Sequence, residues 1–138
     1  NGLAFSVPKN LYIIGMMNTA DRSLAMIDYA LRRRFSFYDM EPGFDSDGFI
    51  QYQNGLNNET LNELVERVKE LNKEIAMDKS LGKGFCIGHS YFCGRDVCTD
   101  EWLHAIVNYD ILPMLSEYWF DDPGKLQRWE NILRGVFQ

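Results

Sequence analysis

The side chains best suited to chemistry are concentrated in residues 11–37, which read LYIIGMMNTADRSLAMIDYALRRRFSF. A run of apolar residues ends in a polar amide, Asn18, and three consecutive arginines follow at residues 32–34. An uncharged amide at the end of a strand can position water, and nearby cations can take up charge on a transferring phosphoryl group. The spacing therefore favours phosphoryl transfer from a nucleoside triphosphate. The alternatives are an asparagine that forms a turn and a cationic helix end.

These side chains need a strand and a helix to hold them. Residues 11–17 are continuously apolar, which is typical of a strand buried on both faces of a parallel sheet. A helix capped by Asp21 or Ser23 and a second strand at residues 35–40 are predicted to follow. Strand, helix and strand within about 30 residues make a βαβ unit, which the EPG sequence at residues 41–43 ends. A two-stranded parallel sheet has unpaired edges, so we expect further protein to cover it.

Residues 43–138 are predicted to be all-helical. Thr60 begins the clearest helix, whose apolar residues recur at i, i+3, i+4 and i+7. Glu63 and Arg67 lie four residues apart on its polar face, in the favourable order. The predicted fold class is therefore α/β plus all-α, with residues 1–42 in the first part and residues 43–138 in the second.

Further helix boundaries can be located from caps and prolines. Thr99 or Asp100 is predicted to open a helix that Pro113 kinks or ends, because proline lacks the backbone donor. The pair at residues 122–123, an aspartate followed by a proline, predicts another helix start. A short strand is expected at residues 85–87, inside a glycine-rich loop.

Composition limits the classes of protein to consider. The chain has 138 residues, a net charge of −6 and three cysteines. An acidic chain is a poor candidate for nucleic-acid contact, and no apolar stretch approaches the ~18 residues of a membrane span. Three cysteines cannot all pair in one chain, which favours a reduced, cytoplasmic setting. The absence of an initial methionine suggests a piece excised from a longer protein.

Several short motifs are spread over nearly the whole chain: MNTADRS at 17–23, ALRRRF at 30–35, EPGF at 41–44, GKGF at 82–85, IGHSYF at 87–92 and FDDP at 120–123. In these motifs the chain resembles the C-terminal half of the McrB family, AAA+ GTPase subunits of 5-methylcytosine-specific restriction systems. The resemblance implies that residues 1–42 are the late part of the AAA+ large subdomain and that residues 43–138 are its helical lid.

The resemblance also implies cofactors and partners. The intact protein would use GTP and Mg²⁺, form a ring with copies of itself, and drive an McrC-like nuclease subunit. DNA would be recognised by a domain outside this chain. The phosphate-loop pattern G-x-x-x-x-G-K-[ST] and the acidic magnesium strand are both absent from the sequence. The isolated chain is therefore expected to be inactive.

The resemblance assigns roles to individual residues in the first part of the chain. Asn18 matches the sensor-1 residue, and Arg33 and Arg34 match the arginine-finger region, whereas Arg32 is predicted to be an ordinary helix-end charge. Asp28 could orient an arginine or be a solvated acid.

The tetrad at residues 18–21 allows a second interpretation, a variant of the guanine-reading N-K-x-D motif. Thr19 replaces the lysine of that motif, which favours the sensor interpretation of Asn18. Asp21 is then expected to cap the helix. Arg22 is expected either to contact the nucleotide or subunit interface or to be a plain surface residue.

In the lid loop, His89 and Ser90 are candidates for facing the nucleotide, with a hydrogen-bonded structural histidine as the alternative. The order Cys86, His89, Cys93, Cys98 has the ligand types of a zinc knuckle. It matches no common knuckle, however, and buried free thiols are the expected outcome. No metal site is therefore predicted.

Two rival functions remain on sequence grounds. The intact protein could be another AAA+ ATPase, such as a MoxR-like chaperone. Alternatively, the helical part could be a non-enzymatic docking module. A contiguous exposed patch formed by Trp102, Trp119 or Trp129 would favour this second rival.

Overall fold

A computed structural model describes residues 6–18 and 29–138. Its α-helices are α1 (Tyr29–Arg32), α2 (Asp47–Leu56), α3 (Glu59–Met77), α4 (Asp100–Ala105), α5 (Leu112–Tyr118) and α6 (Pro123–Gly135). Short 3-10 helices occupy Lys83–Phe85 and His89–Phe92, and a π-helical segment, Ile106–Ile111, joins α4 to α5. None of the described helices is both long enough and apolar enough to cross a membrane.

The predicted amphipathic helix is confirmed as α3, which begins one residue earlier than Thr60. Asn58 caps it by accepting a hydrogen bond from the Leu61 N–H at 2.8 Å. The predicted apolar face is buried: Leu61, Leu64, Val65, Val68, Leu71 and Ile75. The predicted pair of Glu63 and Arg67 also forms, at 3.2 Å. Periodicity alone located this helix because its apolar stripe supplies the centre of the core.

The core is confined to one part of the described chain. Its buried apolar side chains extend from Phe44 to Leu133. Among the described residues the largest fully buried side chain is that of Phe92, in the 3-10 helix His89–Phe92, and Leu115 of α5 is also fully buried. Burying a side chain of this size stabilises a fold by roughly 1.5–3 kcal/mol. The helices within residues 43–138, called the helical body below, therefore form their own core without buried apolar residues from 6–18.

Helix α4 starts as predicted, since Thr99 Oγ1 accepts from the Trp102 N–H at 3.2 Å. Pro113 does not end the helical backbone, which continues from α4 through the π-helical segment into α5. The π turn shifts the hydrogen-bond register directly before Pro113, and this change accommodates the missing N–H of the proline in the first turn of α5. Of the two predicted alternatives, the end of the helix at Pro113 is therefore wrong.

Helix α6 begins at the predicted aspartate–proline pair. Asp122 Oδ1 accepts from the Lys125 N–H at 3.0 Å, and Pro123 occupies the first turn. Helix α6 packs against α3 and α5. Trp129 and Leu133 form its buried face, so the C-terminal helix closes the core.

The predicted strands at residues 11–17 and 35–40 do not form in the described part of the chain, and the βαβ unit is not confirmed. Residues 11–17 are exposed: Tyr12 is 89% exposed, Ile14 94% and Met16 96%. A strand needs a neighbour to accept and donate its ladder hydrogen bonds. None of the described segments supplies that neighbour, and the apolar run alone cannot replace it.

The short strand expected at residues 85–87 is also wrong, for a different reason. Its place is taken by the 3-10 helix Lys83–Phe85. The side chain of Asn72, on α3, then accepts from the Ile87 N–H at 2.6 Å and donates to the Ile87 carbonyl at 2.9 Å. One asparagine thus provides both hydrogen bonds that a neighbouring strand would have provided.

Candidate functional site

A cleft of about 280 Å³ gathers residues that are far apart in the sequence. Three segments form it: the end of the apolar run, the connection that leads into α2, and the glycine-rich loop. Its lining residues are Met17, Asn18, Met40, Glu41, Pro42, Lys83, Gly84, Cys86, Gly88, His89 and Ser90. The structure therefore places the candidate residues Asn18, His89 and Ser90 on one cleft.

His89 is held by a backbone donor from outside its own loop. The Gly43 N–H donates to Nδ1 of His89 at 2.9 Å. An imidazole that accepts at Nδ1 carries its proton on Nε2 when it is neutral. The half-buried ring of His89 is therefore both fixed in one tautomer and a hydrogen-bond donor at its second nitrogen.

Aromatic rings surround this histidine. The His89 ring lies edge-on to Phe44 at 6.1 Å and to Phe49 at 5.6 Å between centroids. Phe44 also contacts Phe92 at 6.1 Å. Because Phe44, Phe49 and Phe92 are all buried, the core of the helical body fixes the orientation of the histidine.

A salt bridge joins the same two segments nearer to solvent. Lys83 Nζ lies 2.7 Å from Glu41 Oε1. The hydrogen bond from Lys83 lowers the pKa of the Glu41 carboxyl, and the same bond raises the pKa of the Lys83 ammonium. Both side chains are largely exposed, so solvent screens the pair and its contribution to stability is small. Its effect on the cleft is that Glu41 neutralises the local positive charge of Lys83.

The motifs EPGF, GKGF and IGHSYF therefore meet in space. Glu41 pairs with Lys83, Gly43 with His89, and Phe44 with Phe92. Sequence reasoning singled out the motifs but missed their pairing, since no periodicity links residues so far apart. Gly43 carried one usable signal, because glycine is a common residue where the backbone must be approached closely. The FDDP motif does not line the cleft, and its Asp122 caps α6.

The arginines lie where the predicted helix ends. Helix α1 stops at Arg32, and Arg33 and Arg34 occupy the turn that follows, with the Arg34 N–H bonded to the Leu31 carbonyl at 3.0 Å. The Arg32 guanidinium lies 5.8 Å from the centre of the Phe37 ring, a cation–π distance. Asp21, Arg22 and Asp28 lie outside the described residues, so their roles stay predictions.

The thiols are less buried than expected. Cys86 and Cys98 are half-buried and Cys93 is exposed, and all three are free. Burial raises the pKa of each thiol, which opposes the thiolate form that binds zinc. Within the described residues, no group of three or more His, Cys, Asp or Glu side chains could hold a metal ion. The zinc-knuckle alternative therefore gains no geometric support from the described chain.

A second polar cluster, which sequence reasoning missed, fixes α6 on α3. Asp78 accepts from the Lys125 ammonium at 2.9 Å and from the Trp119 indole N–H at 3.1 Å. One turn earlier, Glu74 accepts from the Trp129 indole N–H at 2.9 Å. Each tryptophan thus buries its ring in the core and directs its polar N–H to a carboxylate.

Comparison with known proteins defines the class of this helical body. Residues 63–127 match the family model described as McrB, alpha-helical lid domain. The chain is also 55% identical, over 141 aligned residues, to the Type IV methyl-directed restriction enzyme EcoKMcrB subunit of Escherichia coli (strain K12). That alignment covers 95% of this chain and 30% of the relative. The helical body is therefore a lid domain of the McrB type.

The chain belongs to the McrB family. It spans about 30% of the length of the curated relative that it matches. The expectation of a helical lid is confirmed over the matched residues 63–127, and the bounds 43–138 stay a prediction.

Proposed function

We propose that this chain is part of the GTP-hydrolysing AAA+ subunit of a 5-methylcytosine-specific restriction system. The observation that carries the proposal is a cleft that Asn18, His89 and Ser90 line together, in a chain that contains a lid domain of the McrB type. The name of the 55% identical relative, a methyl-directed restriction enzyme subunit, supports the same assignment.

Within this proposal the chain has two parts. Residues 1–42 contribute sensor 1 and the arginine finger, and residues 43–138 form the lid. The position of the core supports this boundary, because the buried apolar residues of the described chain begin at Phe44.

The donors that line the cleft suit the phosphate end of a nucleotide. They are the amide of Asn18, the Nε2–H of His89 and the hydroxyl of Ser90. At about 280 Å³ the cleft is at the lower limit of small-molecule pockets, which commonly span roughly 300–1,000 Å³. It would hold part of a GTP molecule, and the remaining contacts belong to the phosphate loop that the sequence lacks.

Magnesium is not expected to bind to this segment. The cleft contains one carboxylate, Glu41, which is already paired with Lys83. The described residues contain no acidic cluster that could hold the ion. In the intact subunit the acidic strand outside this chain would therefore hold Mg²⁺.

GTP would supply the phosphoryl group that is transferred to water. The Asn18 amide would orient the attacking water or the terminal phosphate without adding negative charge to the site. Arg33 and Arg34 would stabilise charge in the site of a neighbouring subunit, which requires a ring of copies. Arg32, engaged with Phe37, would keep a structural role. The ring would drive an McrC-like nuclease subunit, and another domain would recognise DNA.

Two observations favour this proposal over the two rival functions. Family membership favours an McrB-type subunit over a MoxR-like chaperone. A docking module would require an exposed tryptophan patch, yet Trp119 is 3% and Trp129 4% exposed, and Trp102 is half-buried. The tryptophans therefore serve the core of the lid.

Nucleotide turnover by the full-length subunit that carries this segment tests the proposal. GTP should be hydrolysed in preference to ATP, and addition of the McrC-like subunit should permit cleavage of DNA containing 5-methylcytosine but not of unmethylated DNA. ATP preference, or cleavage that does not depend on methylation, would contradict the proposed function.

A further inference from the structure

The lid loop (residues 82–92) is bonded to Asn72 of α3, and it also contacts the segment that leads into α2. The connecting segment (residues 41–44) leads from the exposed residues before it into α2. It contacts the lid loop (residues 82–92) through the Glu41–Lys83 pair, the hydrogen bond from Gly43 to His89, and the Phe44–Phe92 contact. The first of these is exposed and the last is purely apolar. The bond between Gly43 and His89 is therefore the directional link.

The fit at this link is tight. A Cβ atom on Gly43 would lie 3.1 Å from Cε1 of His89 and 3.4 Å from both ring nitrogens. The 3.1 Å contact is closer than ordinary van der Waals separation, so a side chain on Gly43 would displace the imidazole by a few tenths of an ångström. Glycine therefore gives the backbone N–H its closest approach to Nδ1. Gly43 and His89 thus form a matched pair.

We infer that His89 is a positioning residue that latches the lid loop to the connecting segment and thereby sets the width of the cleft. The same cleft is lined by Glu41 and Pro42 of the connecting segment and by His89 and Ser90 of the lid loop. Loss of the latch would let the connecting segment and the lid loop move apart and weaken contacts with any ligand held between them. For a nucleotide ligand the inference rests on the proposed function.

Two substitutions of His89 separate the latch from direct contact with the ligand. Asparagine places an acceptor near the position of Nδ1, so His89→Asn retains the bond from Gly43 but loses the distal donor. Glutamine places its amide near the position of Nε2, so His89→Gln retains a distal donor but loses the latch. Gly43→Ala strains the same link from the other side. His104→Gln is the matched control, because His104 stacks on Phe137 away from the cleft.

The experiment measures kcat and KM for GTP in the full-length subunit, with folding checked by circular dichroism. His89→Gln and Gly43→Ala should raise KM by about tenfold, the upper range for one lost hydrogen bond, with little change in kcat. His104→Gln should remain close to wild type. Lower kcat with unchanged KM in the Gln and Ala variants would mean a merely structural role and would overturn the inference. A wild-type KM in Gly43→Ala would also overturn it.

Hydrogen exchange of the peptide covering residues 41–46 supplies an independent readout. Exchange of the Gly43 amide should be faster in His89→Gln than in wild type, and unchanged in His89→Asn. Unchanged exchange in His89→Gln would overturn the latch even if GTP is hydrolysed. Faster exchange in His89→Gln, with no GTP turnover in the wild type, would uphold the latch and overturn the proposed function.

Discussion

The indole N–H of Trp119 and the ammonium of Lys125 both donate to one oxygen of Asp78, at 3.1 Å and 2.9 Å. The ammonium also lies 4.4 Å from the centre of the Trp119 ring. Asp78 follows α3 directly, whereas Trp119 follows α5 and Lys125 belongs to α6. One carboxylate therefore connects three helices of the lid.

This cluster predicts acid sensitivity of the lid. The Lys125 ammonium, the Ser80 N–H and the Trp119 indole hold the pKa of Asp78 well below its usual range. A carboxyl with a lowered folded-state pKa contributes stability at neutral pH that is lost as the pH falls below about 5. The free energy of unfolding, measured by urea denaturation with tryptophan fluorescence, should be flat from pH 7 to 5 and should decrease below that.

The Asp78→Asn substitution tests the assignment. It should lower the free energy of unfolding by about 2 kcal/mol at pH 7, which is within the range for hydrogen bonds to a charged group. It should also make the decrease of this free energy at acidic pH smaller. Glu63→Gln is the control on the same helix, since its exposed pair with Arg67 is worth only about 0.3–0.5 kcal/mol. If Asp78→Asn and Glu63→Gln gave the same acid profile, the proposed role of Asp78 would be wrong.

Replacement of Asn18 by alanine should separate binding from catalysis in the full-length subunit. We expect GTP affinity to stay nearly normal and turnover to fall at least ~100-fold, as for one lost transition-state donor. Isothermal titration calorimetry and steady-state turnover measure the two quantities. Asn10→Ala, in the exposed turn before the apolar run, should change neither. Collapse of binding with normal turnover per bound nucleotide would instead assign Asn18 to base recognition.

The arginines should act on a neighbouring subunit. Arg33→Ala or Arg34→Ala rings should bind GTP but hydrolyse it ~10³-fold more slowly or worse, the loss expected for a true finger. Mixing them with Asn18→Ala subunits should restore part of the activity, because some interfaces then join an intact sensor to an intact finger. Turnover is measured at saturating GTP.

Arg32→Ala is the control for that experiment. Its guanidinium contacts Phe37, so its loss should cost only ~0.3–1 kcal/mol of stability, with little effect on rate. If mixing does not restore GTP turnover although light scattering shows normal assembly, the arginines act in the site of their own subunit or have a structural role.

The 138-residue chain by itself should neither bind nor hydrolyse GTP measurably. The phosphate loop and the acidic strand supply most triphosphate and magnesium contacts, and the sequence contains neither. Calorimetry at micromolar protein and a phosphate-release assay test this expectation. Micromolar affinity, or turnover above buffer, would require a complete site within these residues.

The sequence by itself determined the helices that have a strong local signal. The apolar stripe of α3, the aspartate–proline start of α6 and the threonine cap of α4 follow from side chains within one or two turns of each other. Local contacts of this kind survive in almost any tertiary setting. The resemblance of short motifs also identified the family, which the comparisons confirmed.

Only the tertiary structure decided how those motifs meet. Gly43 bonds to His89 and Asn72 to the Ile87 backbone because the packing of α2, α3 and the lid loop brings distant segments together. No periodicity encodes such pairs. The apolar run at residues 11–17 shows the reverse case, since its pattern predicts a strand while the described chain offers it no partner. Strands depend on hydrogen bonds from a second segment, whereas helices satisfy their own, and this difference set the limit of what the sequence determined.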